Sequence, residues 1–186
     1  MRSPLPTVAR EIGADERTLR RAAERGAIRC RRPGPRKLEF AEGELDYLRT
    51  HWGLLRALTS ALRTEPNVRL AVLYGSMARG DDRRDSDVDV LVEFSAEVPG
   101  AASGLAVRLE RAVGRDVDVA RLRRALESAP LLVLQVLGEG RVLVDRDERW
   151  PLLVRRRGRI AQAAVSAHEA AREQAAVAFR ELAGQA

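Results

Sequence analysis

Asp87 and Asp89 stand two positions apart at the start of an apolar run, with six residues between them and the segment Gly75-Ser76-Met77-Ala78-Arg79-Gly80. On a strand, alternate residues leave the same face, so the spacing predicts two carboxylates side by side. Two like charges about 4 Å apart repel by about 4 kcal/mol at an effective dielectric near 20. Folded proteins keep such pairs where a divalent cation such as Mg²⁺ or Mn²⁺ sits between them. Asp118, within Asp116-Val117-Asp118-Val119-Ala120, offers a third carboxylate from a neighbouring strand. Asp116 competes for that role, but Asp118 lies between valines inside the strand. Three carboxylates and two cations suit in-line displacement at a nucleotide phosphate, one cation activating an acceptor hydroxyl and the other neutralising the leaving group. Asp118 is then the ligand nearest the acceptor.

Gly75 and Ser76 directly follow the apolar run Val68 to Tyr74 and are expected to open a helix. A glycine there lets the backbone approach a phosphate closely, while the serine hydroxyl and free helix N–H groups can bind phosphate oxygens.

The elements that must hold these residues are readable from periodicity. Val68 to Tyr74, Val88 to Phe94, Val117 to Ala120 and Arg141 to Val144 are the expected strands, with a helix ending at Gly114 and a helical stretch from Leu122 to Leu137 divided by Pro130. Strands interleaved with helices give an α+β body. Pro151 is expected to begin a long Ala-rich closing helix, with a break near Gly158. Ahead of the body, Val8 and Ile12 mark one short helix and Gly13 a turn. Asp15 caps a second helix from Glu16 to Arg25, which Gly26 ends. Ile28 to Arg31 and Lys37 to Phe40 flank Arg32-Pro33-Gly34-Pro35-Arg36 as a hairpin, and a helix from Glu42 carries Leu45, Leu48, Trp52 and Leu55. The expected divisions are residues 1–63, 64–150 and 151–186.

The charge is unevenly spread. Of the net +6, residues 1–63 hold 14 Arg and Lys against 8 Asp and Glu, whereas residues 64–186 hold 19 of each. A basic head on a neutral body points to a polyanionic partner. Arg17, Thr18, Arg20 and Arg21 form the outward side of the second helix and are candidates to read a DNA major groove; Arg31, Arg32, Arg36 and Lys37 are candidates for phosphate contacts. One cysteine, Cys30, excludes a disulfide within the chain and a cysteine-built zinc site. With no membrane-length apolar run and no secretory leader pattern, the expectation is a cytoplasmic protein without membrane association. His51 and His168 are the only histidines, and roles at the core edge or surface are expected for both.

Gly-Ser, ten residues, then Asp-x-Asp resembles the signature of nucleotidyltransferases of the DNA polymerase beta superfamily. Gly-Ser-x-Ala-Arg-Gly followed by Ser86-Asp87-x-Asp89 is similar to the minimal nucleotidyltransferases of prokaryotes in particular. The resemblance runs from about Val68 to Asp147 and includes Gly-x-Val-Leu-x-Asp at Gly140 to Asp145. It implies a mixed sheet flanked by helices, Mg²⁺, and a nucleotide donor, usually ATP. It implies that Gly75, Ser76 and Arg79 bind the nucleotide and that Asp87, Asp89 and Asp118 are catalytic metal ligands. Residues 1 to about 50 resemble the winged helix-turn-helix of excisionase and MerR-type regulators. Many minimal nucleotidyltransferases are encoded beside HEPN-domain toxins, and some transfer AMP to a tyrosine of that partner as antitoxins. The implied protein is a protein-AMPylating antitoxin whose DNA-binding head represses its own operon, with dimerisation expected on paired half-sites. Two alternatives are a DNA-binding repressor with an inactive transferase domain and a small-molecule adenylyltransferase of the aminoglycoside type.

Overall fold

Strand β4 (Val68–Tyr74) is buried along nearly its whole length because it lies inside a mixed four-stranded sheet of order β6-β5-β4-β7. β5 (Val88–Phe94) and β7 (Arg141–Asp145) pair with it antiparallel, while β6 (Val117–Arg121) runs parallel to β5. The structure is a computed structural model and describes residues 2–35 and 37–183, including their side chains except those of residues 170 and 174–183. The proposed phosphate contact Arg36 lies outside the described residues.

Period-two alternation sorts the strand residues between two faces. On one face Ala71, Leu73, Val88, Val90, Val92 and Val117 join a large core with α3 (Glu42–Arg63) and α5 (Ala101–Val113). On the other, Leu70, Val72, Tyr74, Leu91 and Val142 pack with α6 (Leu122–Ser128), α7 (Pro130–Glu139), α8 (Arg149–Arg155) and α9 (Arg157–Ala183). Each Val or Leu buried in this way contributes about 1.5–3 kcal/mol. Helices on both faces leave the strand ends as the place where polar side chains can gather.

The head is tied into the first of these cores. α1 (Leu5–Glu11) and α2 (Glu16–Arg25) are joined by a turn in which Gly13 has φ +63°, and the Asp15 carboxylate accepts a hydrogen bond from Thr18 N at 3.0 Å. Gly26 ends α2 in the left-handed conformation, as its position predicts. β1 (Arg2–Pro4), β3 (Lys37–Ala41) and β2 (Arg31–Gly34) form an antiparallel sheet of order β1-β3-β2. Leu5, Val8, Leu19 and Phe40 belong to the same core cluster as Val68, Leu73 and Val90, with α3 spanning both.

Two boundaries differ from the sequence expectation. Ile28 to Cys30 are not strand: Arg29 N donates to the Glu44 side chain on α3 at 2.8 Å, while just before the segment Val142 N donates to Gly26 O at 3.1 Å and Arg141 reaches Ala27 O. The closing helical region starts at Arg149, where Asp145 Oδ1 accepts from Trp150 N, and Pro151 is accommodated in the first turn. Its break, expected near Gly158, falls two residues earlier at Arg156, and Gly158 lies in the first turn of α9.

Candidate active site

The parallel register of β5 and β6 pairs Asp89 with Asp118, placing their carboxylates next to each other on the α6–α7 face of the sheet. Asp87 differs from the expectation: β5 begins at Val88, so Asp87 lies one residue before the strand, exposed, where the chain enters it. It still reaches Asp89 electrostatically. Asp89, half-buried, has its carboxyl pushed above the ordinary range by burial first, then by the charge of Asp118, then by that of Asp87; Arg79 opposes this and is the weakest of the four influences. Asp116 precedes β6 and contributes its backbone oxygen, which accepts from Val88 N at 2.9 Å. Tyr74, the register partner of Asp89 on β4, has its phenol pushed up to about 12 by burial and by Asp89 and Asp118.

Gly75 completes this cluster from the other side. Its φ is +72°, and a Cβ there would collide with Asp89 Oδ2. Only glycine meets both demands, and the backbone passes directly over the carboxylate. α4 (Gly75–Arg79) follows at once, with Ser76 in its first turn, and Gly80 ends it at φ +88°. Arg79 is exposed and donates to Asp81 at 3.1 Å and to Glu139 at 2.9 Å, linking α4 to the end of α7.

Beneath α4 is a set of buried polar residues of which the sequence reading singled out only His51, expected at the core edge or surface and here 6% exposed. Arg141 is 1% exposed and pairs with Glu44 through two bonds of 2.6 and 3.0 Å. Its Nε donates to Ala78 O at 2.7 Å, and its guanidinium lies 3.4 Å from the centroid of the Tyr47 ring. Tyr47 donates its hydroxyl to Met77 O at 3.0 Å, and its ring lies against Gly80. His51 stacks on Tyr47 with ring centroids 4.4 Å apart, and its Nε2 is 2.6 Å from Asp82 Oδ1. Arg115 lies 3.7 Å from Asp82 and donates to Ser86 O at 3.4 Å, holding the far side of the loop that leads to Asp87. Thus α3 positions the turn and the loop on either side of the carboxylates. One signal existed: Glu44, Tyr47 and His51 share a helical stripe next to Leu45, Leu48 and Trp52, and polar residues on such a stripe are buried with partners.

The chemistry open to this arrangement is cation binding against phosphate. Among the described residues no group of three or more His, Cys, Asp or Glu forms a ready metal cage. Mg²⁺ does not require one, since it is commonly held by one or two carboxylates plus water and substrate phosphates. The raised carboxyl of Asp89 and its acidic neighbours fit such an ion, which would relieve the repulsion.

Of the candidate DNA contacts, Arg17, Thr18, Arg21, Arg31, Arg32 and Lys37 are exposed and Arg20 is half-buried. The Thr18 hydroxyl also donates to the capping Asp15 carboxylate at 3.3 Å, and Arg32 donates to Ala23 O at 3.2 Å, joining the hairpin to α2.

No curated protein sequence matches the chain. A toxin–antitoxin crystal structure with AMP-PNP matches with 26% identity and a TM-score of 0.52 over 68% of this chain and 98% of that one. A variant of the MntA-HpeT toxin–antitoxin matches with 25% identity and a TM-score of 0.52, over 68% and 98% of the two chains. A tri-AMPylated HEPN toxin in complex with MNT antitoxin from Shewanella oneidensis matches at 23% identity, with a TM-score of 0.50 over 71% and 99%, which shows the likeness of fold alone. Residues 56–149, just over half of the chain, match the polymerase beta nucleotidyltransferase family. The chain therefore belongs to that family and is a nucleotidyltransferase.

Proposed function

We propose that this chain transfers AMP from ATP to a hydroxyl of a HEPN-type toxin partner, acting as its antitoxin, and that its head binds DNA. The observation that carries the transfer reading is the register of Asp89 against Asp118 beneath the left-handed turn at Gly75. In this reading Asp87, Asp89 and Asp118 hold Mg²⁺ or Mn²⁺, while Gly75, Ser76 and Arg79 bind the nucleotide. When bound, the metal neutralises charge on the triphosphate and lowers the pKa of the acceptor hydroxyl. Asp118, exposed at the strand end, faces the acceptor and takes its proton. The acceptor oxygen bonds to the α-phosphorus, the bond from that phosphorus to the bridging oxygen breaks, and pyrophosphate leaves. The Gly75 turn keeps side chains away from the phosphate path.

The partner is supported by the likeness at 26% identity to a toxin–antitoxin structure holding AMP-PNP. Residues 1–63 serve as a winged helix-turn-helix in this reading, residues 64–150 as the transferase and residues 151–186 as a helical extension. Support comes from the α1–turn–α2 unit and the adjoining antiparallel hairpin with exposed Arg31, Arg32 and Lys37. α2 would enter the major groove and a homodimer would span two half-sites. No described helix is long and apolar enough to cross a membrane, and cytoplasmic placement is part of the proposal. Co-expression with the products of the adjacent genes, followed by intact mass measurement of those products, tests the acceptor. Addition of whole AMP units is expected, and an unmodified partner would overturn the antitoxin assignment.

A further inference from the structure

The body is neutral in sum but not in distribution. Residues 121–128, which include α6, and residues 149–159, which include α8 and the start of α9, hold 8 of the 19 Arg in residues 64–186 and 1 of the 19 Asp and Glu. That leaves 11 Arg against 18 acids elsewhere, so the body has one basic end.

A groove of about 300 Å³ opens between α6 and α8 at this end, beside the last residues of β5. Leu122, Leu126, Leu152 and Leu153 line it, and Leu152 is 38% exposed. A lone exposed leucine is ordinary, but this one continues an apolar groove. Arg123 reaches the groove from α6, while Arg149, Leu152 and Arg156 reach it from one side of the α8 region at helical spacing. The acids in the lining are already matched: Arg149 donates to Glu93 at 2.9 Å and Arg121 to Glu97 at 3.4 Å. In contrast, the exposed side chains of Arg155, Arg156 and Arg159 have no ion pair or hydrogen bond among the described residues.

Arg159 stands one turn beyond Arg156, so the unmatched charge continues past anything the groove could enclose. A small ligand would leave it uncovered, and an extended surface would not. Glu93 and Glu97 beside the leucines disfavour a nucleic-acid backbone, which gains affinity by neutralising each phosphate with a cation. An apolar seat with arginine at its edge is the composition of a protein interface.

We infer that this face docks the protein that carries the acceptor hydroxyl. The partner seats an apolar side chain among the four leucines and sets its own Asp or Glu against Arg155, Arg156 and Arg159. The inference rests on the transfer reading above and adds to it the place and the charge of the contact. Asp89 and Glu93 leave the same face of β5, four residues apart, which is about 13 Å along a strand. A protein interface of about 800 Å² per partner is wide enough to cover both.

The test measures calorimetric binding of the products of the adjacent genes to the full chain, together with Mg²⁺-dependent AMP transfer to them. Arg156→Glu/Arg159→Glu reverses two exposed, unmatched charges, and Leu152→Gln makes the exposed part of the seat polar. The wild type is expected to bind one such product, less tightly as salt rises from about 50 to about 300 mM. Both variants should keep the wild-type melting temperature and KM for ATP while losing at least about tenfold in affinity for the partner. KM for the partner then rises, and kcat at saturating partner holds. If the wild type binds none of these products, the antitoxin reading fails and this inference fails with it. Unchanged partner affinity in the folded arginine variant would overturn this inference alone. Loss of affinity for labelled duplex DNA or single-stranded RNA in that variant, with partner binding intact, would overturn it in favour of a nucleic-acid surface.

Discussion

The carboxylate of Asp89 occupies the space that a side chain on Gly75 would need, while the φ of +72° at Gly75 independently favours glycine. Turn and acid are therefore fitted to each other, and neither can change without moving the other.

Gly75→Ala is expected to cost about 1–3 kcal/mol of stability through backbone strain and the clash. Transfer should fall at least about 100-fold, in line with the loss of a positioned catalytic contact. Urea unfolding of the single and double variants separates the two causes. In an Asp89→Ala background the clash is gone, and the cost should shrink toward about 1 kcal/mol, the contribution of φ alone.

Asp89 also predicts a pH response. Its carboxyl is raised in the folded chain by burial, Asp118 and Asp87, so the folded form holds the proton to higher pH than the unfolded form does. The favourable contribution is fully present below the unfolded carboxylate value and declines as pH rises through the raised one. Asp89→Asn should therefore be more stable than wild type at pH 7 without metal, and should lose that advantage near pH 3. Adding Mg²⁺ should raise the wild-type melting temperature at pH 7 and raise that of the variant less.

The buried pair beneath α4 links head and body. Arg141→Met leaves Glu44, 7% exposed, without its buried partner, an arrangement that costs about 3–5 kcal/mol. A Glu44→Met/Arg141→Met double variant should recover most of that loss, because it leaves no uncompensated charge. Fluorescence and circular dichroism melts should show one transition, since Leu19 and Phe40 share a cluster with Leu73 and Val90.

Tyr47→Phe removes the hydroxyl bond to Met77 O while leaving the ring against Gly80 and Arg141. A loss of about 1 kcal/mol in stability is expected. As Tyr47 positions α4 without touching substrate, kcat should fall while KM for ATP changes little, and steady-state kinetics checks the split.

Much of this arrangement was legible in the chain. The limits of β4 and β5 followed from apolar runs, and those of α2 from Asp15 and Gly26, because such signals are local. Gly75, Asp87, Asp89 and Asp118 drew notice because their types and spacing have few purely structural uses. Arg141 and Glu44 did not, as their pairing joins residues 97 positions apart and rests on which strand packs beneath which helix. β1 was missed because three residues ending in proline carry no period, and Ile28 to Cys30 were misassigned because Arg29 N pairs with the side chain of Glu44 on α3 instead of with a neighbouring strand.

The most direct measurement of the central claim is Mg²⁺-dependent transfer of label from α-labelled ATP to the HEPN-type partner by the full chain. Wild type should label the partner and release pyrophosphate, EDTA should stop the reaction, and Asp87→Ala and Asp89→Ala should each lower the rate by at least about 1,000-fold, as expected when ligands of an essential metal are removed. Transfer at the wild-type rate by folded Asp89→Ala would contradict the account.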